Sequence, residues 1–283
     1  MIKQGTATQD REASTPEGGW FAQQRLAFIE SRLFWSGRVN RSDLTETFNI
    51  HRSVASGDLT DYQRLAPRNA LYDKSEKTYK AGPRFIPVVT APSLANLLGH
   101  ALLNDSFLAG RALFEIVPMP QRAADPVVVR NVIEAATESA RIKAFYRSMS
   151  HPEGRWRWIE PHSIIFDGLR WHCRAFCHLR GGFRDFNLSR ILKVSEFLTV
   201  TLDERDDAWE RTVDISIRPH RNLTSAQAEM IADEYGMRDG LLTIPCREAL
   251  LSYLLINLGL DRELQPPRQG LELVDPTLRA WAR

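Results

Sequence analysis

Trp171-His172-Cys173-Arg174-Ala175-Phe176-Cys177-His178-Leu179 is the stretch on which the reading of this chain turns. In an extended strand, successive side chains point to opposite faces. One face then carries Trp171, Cys173, Ala175, Cys177 and Leu179, apolar throughout, and the other carries His172, Arg174, Phe176 and His178. The segment Arg184 to Ile191 follows as a partner strand, with Arg184, Phe186, Leu188 and Arg190 on a single face. If these faces adjoin, cations and an aromatic ring line one concave surface. Such a surface suits phosphates and a stacked base, because Arg forks a phosphate and a ring accepts any base π-face. The alternative is that the cations pair with Asp167, Asp185 and Glu160. Those are the only acids against eight Lys/Arg in residues 155–193, too few to neutralise them.

Working outward, the same period-two pattern appears in Arg141 to Arg147, Arg155 to Ile159 and His162 to Phe166, with Asp167-Gly168 and Gly181-Gly182 as turns. A helix fits Val127 to Ser139. Five short strands behind a leading helix predict a small, strongly bent antiparallel sheet or barrel. The neighbours His172-Cys173 and Cys177-His178 invite a metal reading. At ~3.3 Å per residue the two thiols lie about 13 Å apart in a strand, too far to share an ion, and the histidines face the other way. No metal or cofactor is expected.

Toward the N-terminus, Phe21, Leu26, Ile29, Leu33 and Phe34 recur at helical spacing before Gly37. A short helix fits Ser42 to Phe48, with Ser42 as N-cap, Leu44 and Phe48 inward, and Asp43 and Glu46 outward. After a break at Asn49-Ile50, a third helix fits His51 to Gln63, with Val54 or Ala55, Leu59, Tyr62 and then Leu65 inward. This spacing matches a helix-turn-helix, whose second helix enters the major groove of DNA. Arg41, Ser42, Arg52, Ser53 and Ser56 are the expected DNA-facing residues on it. Ala70 to Asp73 and Thr78 to Ala81 then read as a hairpin, a wing presenting Lys74, Lys77 and Lys80 to phosphates with Arg68 and Arg84 at its base. A helical module with a hairpin used for protein contacts is the competing reading.

Pro87 to Pro126 reads as a bridge, with a helix over Ser93 to Leu103 and a proline-rich stretch after it. Beyond the β-domain, Thr212 to Arg218 and Leu241 to Ile244 read as strands. Thr224 and Gln227 form a capping pair for a helix reaching about Tyr235. The helix from Arg247 to Leu258 is apolar almost all round and must be buried on several sides, in its own domain or at a subunit interface.

Composition removes other classes. With 43% hydrophobic and 25% charged residues, the 283-residue chain is a globular one of two or three domains. Three cysteines are too few for a disulfide framework, which points to a reducing cytoplasm. The apolar run Ala249 to Leu260 is too short to cross a bilayer, so no membrane partner is expected. Residues 1–90 hold 13 Lys/Arg against 10 Asp/Glu, and residues 203–283 hold 10 against 15, which separates basic from acidic regions. The chain has no phosphate-binding loop, dinucleotide fingerprint, zinc-protease helix or nucleophile elbow, so it is not expected to be an enzyme.

Pro161-His162-Ser163, Asp167-Gly168-Leu169-Arg170-Trp171-His172-Cys173-Arg174-Ala175-Phe176-Cys177 and Phe183-Arg184-Asp185-Phe186 resemble the WYL-domain proteins. Only the first residue of the eponymous Trp-Tyr-Leu matches, since Trp171 is followed by His172 and Cys173. That His is similar to the CapW and BrxR types found beside bacterial anti-phage systems. The stretch Ala55 to Leu59 with Tyr62 and Leu65-Ala66-Pro67 resembles their recognition helix, and Trp209 through Leu258 resembles their C-terminal extension. The resemblance implies an α+β chain in five parts. These are a flexible N-terminus (1–17), a winged helix-turn-helix (18–86), a helical linker (87–125), an Sm- or SH3-like WYL barrel (126–200) and a small α/β dimerisation domain of the WCX kind (201–283). It further implies a homodimer on an inverted-repeat operator in double-stranded DNA, responding to a nucleic acid or nucleotide ligand, with a phage-defence operon or its own promoter as target. The ligand residues would be His162, His172, Arg174, Phe176, Arg184, Phe186 and Arg190. Repressor and activator both fit the sequence. An RNA-binding adaptor and a nucleic-acid-processing enzyme are the rival classes.

Overall fold

The computed structural model describes residues 19–95, 97, 117, 120, 122–199 and 204–282. The expected N-terminal arm and most of the linker, including all of the Ser93–Leu103 helix except Ser93, Leu94, Ala95 and Leu97, lie outside the described residues. The chain divides into two compact units, Met1–Met119 and Pro120–Arg283.

Among the described residues, helices α1 to α3 and a three-stranded sheet build the winged-helix part of the first unit. Helix α1 (Trp20–Ser36) buries Leu26, Ile29 and Leu33 and ends on Gly37 at φ +73°, a left-handed cap that glycine adopts without a Cβ penalty. Phe21, expected inward, is 74% exposed, because the helix starts only one residue before it. Helix α2 (Arg41–Phe48) is capped by Asn40 and not by Ser42. The Asn40 side chain accepts from the Asp43 amide, and the Asp43 carboxylate accepts from the Asn40 amide. Asp43, expected outward, is buried and paired with Arg32 at 2.8 Å. Helix α3 (Arg52–Leu65) buries Ala55, Asp58, Leu59 and Tyr62, while Val54 and Leu65 stay exposed. Between strands β2 (Ala70–Asp73) and β3 (Thr78–Ala81) lies the expected turn, and β1 (Arg38–Val39), absent from the sequence reading, adds a third strand to β3.

A buried carboxylate organises this unit. Glu30 of α1, 1% exposed, accepts from the Tyr62 hydroxyl at 3.0 Å and from the amides of Val88, Val89 and Thr90 at 2.7, 2.8 and 2.7 Å. The carboxylate answers the backbone where the chain leaves the winged helix, supplying acceptors to three successive amides that no strand or helix engages.

The second unit holds two separate cores. Helix α4 (Pro126–Thr137) covers a five-stranded antiparallel sheet of order β7-β6-β5-β4-β8. Its strands are β4 (Ala140–Ser148), β5 (His151–Phe166), β6 (Trp171–Cys177), β7 (Gly182–Asn187) and β8 (Ile191–Thr199). The two strands expected over 155–159 and 162–166 are one long strand. Its register shifts between Pro161 and Ser163, because a proline inside a sheet has no amide for the ladder and sits at a bulge. The strand expected over 184–191 ends at Asn187 in a 3₁₀ turn, and β8, not foreseen, is the fifth strand. The ladder does not close into a barrel among the described residues. It does curl: β4 and β7 are three ladder steps apart, about 14 Å in a flat sheet, yet the Tyr146 and Phe186 rings lie 5.0 Å apart.

After the short helix α5 (Asp207–Glu210), strand β9 (Thr212–Pro219) lies between β10 (Leu242–Arg247) and β11 (Leu271–Leu273), the last also unforeseen. Helix α6 (Ser225–Glu234) has the expected Thr224–Gln227 capping box. The apolar helix opens as a 3₁₀ turn and continues as α7 (Leu251–Asn257). Leu251 and Leu255 are sealed beneath it while Ile256 is 54% exposed.

Glu30→Ala is expected to cost about 3 kcal/mol, since it leaves the buried Tyr62 hydroxyl and three part-buried amides without their acceptor. Hydrogen exchange should show the Val88, Val89 and Thr90 amides losing protection. Unchanged protection there would mean that other acceptors hold the segment.

Candidate functional site

The N-terminal part of α3 is laid open by the packing beneath it. Arg25 of α1 forks the buried Asp58 carboxylate at 2.7 and 3.0 Å, fixing α3 by its inward face. Arg52 and Ser53 are exposed on the opposite face, and Ser56 is partly so. Two of these hydroxyls already have local roles: Ser56 donates to the Arg52 carbonyl at 2.9 Å, and Ser53 shares a bond with His51 Nδ1 at 2.9 Å. Arg41 and Ser42 are exposed at the start of α2, with the Ser42 hydroxyl donating to Asn40 Oδ1 at 2.6 Å. In the wing, Lys74 and Lys77 are exposed in the turn, and Arg68 is exposed at its base. Lys80 differs. Its Nζ lies 2.9 Å from Asp73 and 2.6 Å from Glu76, so it ties the hairpin together. Its hydrogen bond to Asp73, with that to Glu76, raises the Lys80 pKa, and the same bond holds Asp73 far below the usual carboxylate range.

On the β-domain, the single concave face expected from the sequence does not form. Register pairs Cys173 with Phe186, Arg174 with Asp185, Ala175 with Arg184 and Phe176 with Phe183. Directly paired residues share a face, so Arg184 and Phe186 lie on the apolar side of β6, opposite to Arg174. Phe186 is 2% exposed within the core and offers no face to a base. Arg184 is exposed and Arg190 half-buried, and neither has a carboxylate partner among the described residues.

The other side of β6 is covered, not open. His172, Arg174 and Phe176 are each less than a tenth exposed. Asp206, just ahead of α5, receives Arg174 Nε at 2.7 Å and Nη2 at 3.1 Å, while Nη1 reaches Asp185 at 3.1 Å. His162 Nε2 lies 3.1 Å from the same Asp206 oxygen, its ring edge-on to Phe183 and Trp209. His172 Nε2 meets Asp167 at 2.8 Å, and the Tyr253 ring from α7 lies over it at 5.1 Å. Tyr253 donates to Asp185 at 2.8 Å, and Asn257 donates to the Asp167 carbonyl at 2.7 Å. The competing reading, that the arginines pair with local acids, therefore holds for Arg174, and the His172 and His178 rings likewise meet acids, Asp167 and Glu160.

Burial pushes the Asp206 carboxyl up, but the Arg174 hydrogen bonds and charge, with the His162 bond, outweigh it and hold the group below its ordinary range. Asp167 is likewise lowered: its burial is outweighed by His172 and the Leu169 and Arg170 amides. Arg174 is raised despite its own desolvation, by Asp206 and Asp185. Sequence reasoning missed Asp206, Trp209 and Tyr253, which come from beyond the sheet and carry no local signature. An Asp-Asp pair opening a short helix was the one available hint.

A helix-turn-helix with a lysine-tipped wing, followed by a curled sheet clasped to a further αβ domain, defines a winged-helix regulator of the WYL class. Family models agree in three pieces. Residues 22–102 match the BrxR transcriptional regulator winged helix-turn-helix domain, 127–196 the WYL domain, and 212–277 the BrxR transcriptional regulator C-terminal dimerization domain. The DNA-binding transcriptional repressor CapW of Escherichia coli (strain KTE188) is 40% identical over 89% of this chain and 87% of its own. CapW of Pseudomonas aeruginosa is 36% identical over 93% and 92%. CapW of Stenotrophomonas maltophilia is 36% identical over 86% and 84%. The chain belongs to the CapW family. A solved structure, proteasome accessory factor B/C of Arthrobacter aurescens, matches 93% of this chain and 46% of its own at 18% identity with a TM-score of 0.29, too low to bear on the fold.

Arg174→Ala is expected to destabilise the second unit by about 3–5 kcal/mol, because it strands buried carboxylates. The clasp also has a pH signature. Asp206 is held below its unfolded value of about 3.9, so its contribution is complete above that value and is lost as pH falls through the lower, folded one. Denaturant titrations should therefore show Asp206→Asn closing the gap to wild type in acid and not between pH 6 and 8. A constant gap down to pH 3 would assign the stabilisation elsewhere.

Proposed function

We propose that this protein is a homodimeric DNA-binding transcriptional repressor. It reads an inverted-repeat operator through two winged helices and is released when its WYL domain takes up a nucleic acid or nucleotide. The observation that carries the reading is the exposed edge of α3. Arg52, Ser53 and Ser56 project from a helix whose other face is sealed, beside a wing whose Lys74 and Lys77 have no acidic partner among the described residues. Arg41, Ser42 and Arg68 extend the DNA surface, and Lys80 serves it by shaping the wing. The names of the relatives, DNA-binding transcriptional repressors, support repression; the proposed setting is the cytoplasm and the proposed target a phage-defence operon or the protein's own promoter.

Dimerisation is assigned to the C-terminal domain, in keeping with the family model there and with the exposed apolar side chains Met230, Tyr235, Leu241 and Ile256. Ligand uptake is assigned to Arg184 and Arg190, whose guanidinium groups have no carboxylate partner among the described residues. Arg174, His162 and His172, with Phe176 packed beside them, serve by joining the sheet to the C-terminal domain, which gives a ligand-induced shift a route out of the WYL domain. The curl of the sheet supports an Sm- or SH3-like roll.

Light scattering should give twice the 32.3 kDa chain mass. Footprinting should show a two-fold site with half-sites spaced by whole turns of about 10–10.5 bp. Arg52→Ala should change sequence preference. The double substitution Lys74→Ala, Lys77→Ala should weaken all duplexes alike and flatten the salt dependence by about one log unit per lost phosphate contact. A footprint without symmetry, or wing variants with an unaltered salt slope, would refute the assignment.

A further inference from the structure

Arg155 and Arg157 stand on one face of β5, paired with Tyr146 and Ala144 of β4. Ala144 lies in the core, so both arginine stems enter on the covered side of the sheet. Arg157 is only 7% exposed, with its guanidinium carbon 5.7 Å above the Tyr146 ring. The Nε of each arginine is sealed from solvent and makes no hydrogen bond. Neither residue meets a carboxylate among the described residues, although in the same sheet Arg141 reaches Glu160, Lys143 reaches Glu196 and Arg174 reaches two acids.

Two arginines on one strand face, each with a desolvated and idle Nε donor, are unfavourable by both charge and hydrogen bonding. An anion placed between them would answer both. The surroundings suit a phosphate ester in particular. The Tyr146 ring lies against Phe186, and Phe186 stands two residues from Arg184 on the same face of β7. On its other side Tyr146 pairs with Ile191, the residue after Arg190. Arg155 and Arg157 thus border Tyr146 directly, and Arg184 and Arg190 lie on the segments that carry its neighbours Phe186 and Ile191.

We infer that Arg155 and Arg157 form a phosphate-binding subsite of the WYL domain, next to Arg184 and Arg190. The inference rests on the reading above that this domain takes a nucleic acid or nucleotide. The phosphate can come from a single strand or from a free nucleotide, and the two are told apart by probe.

The test uses the full-length protein, a labelled short oligothymidylate followed by anisotropy, and thymidine triphosphate as a second probe followed by calorimetry. Arg157→Met keeps the stem over Tyr146 and removes the charge. It should weaken binding about tenfold or more and make the salt slope shallower by about one, while Arg157→Lys retains much of the affinity. Without ligand, Arg157→Met should melt no lower than wild type, because it relieves an unpaired buried charge; a merely structural arginine would give a lower melting temperature. Should Arg157→Met fail to fold, Arg155→Met carries the same expectation. Loss with the oligonucleotide alone assigns the subsite to a strand, and loss with both probes assigns it to nucleotides generally. Wild-type affinity in Arg157→Met and Arg155→Met while Arg184→Ala binds poorly would overturn this subsite and leave the sensing reading standing. A wild-type protein that binds neither probe would overturn both.

Discussion

The bidentate contact between Arg174 and Asp206 is the constraint around which the second unit is arranged. A guanidinium on the middle of β6 would be costly beneath another domain unless its charge and donors were met. Asp206 and Asp185 meet them, and the same carboxylates engage His162 and Tyr253. The sheet and the C-terminal domain keep separate hydrophobic cores, so apolar burial alone does not join them. The junction is polar and directional, with Trp209 and Arg247 adding a cation–π contact on the C-terminal side. Polar junctions of this kind hold one geometry well and lose it steeply when a single partner is removed.

That arrangement separates two roles that the sequence had merged. Alternation along β6 identifies which residues share a face of that strand, but not which face of β7 lies beside it. Register decides this, and it is set by the turn through Gly181, at φ +61°. A shift of one residue exchanges every side chain between faces. Grouping Arg174 with Arg184 and Phe186 placed residues together that lie on opposite sides of the sheet. Arg174 on one side has acids, and Arg184 on the other has none among the described residues.

Much of the rest was legible because it is local. The 3.6-residue period of α1 and α3, the turn between β2 and β3, and the Thr224–Gln227 capping box each depend on residues a few positions apart. Short strands such as β1 and β11 escaped, since two or three residues carry no period and form only because a partner edge is waiting. Asn40 was overlooked as a cap because Ser42 also suits that role; the choice depends on Asp43, whose carboxylate closes the box from within. Asp206 could not have been matched to Arg174 from sequence spacing, since 32 residues separate them.

Glu30 has a mechanical meaning as well as an energetic one. Its carboxylate holds three consecutive amides of the departing chain and, at the same time, the hydroxyl of Tyr62 on α3. The exit of the chain and the helix that carries Arg52 are therefore fastened to one rigid post on α1. Whatever shifts the chain at Val88 to Thr90 acts on the same side chain that steadies Tyr62 on the DNA-facing helix.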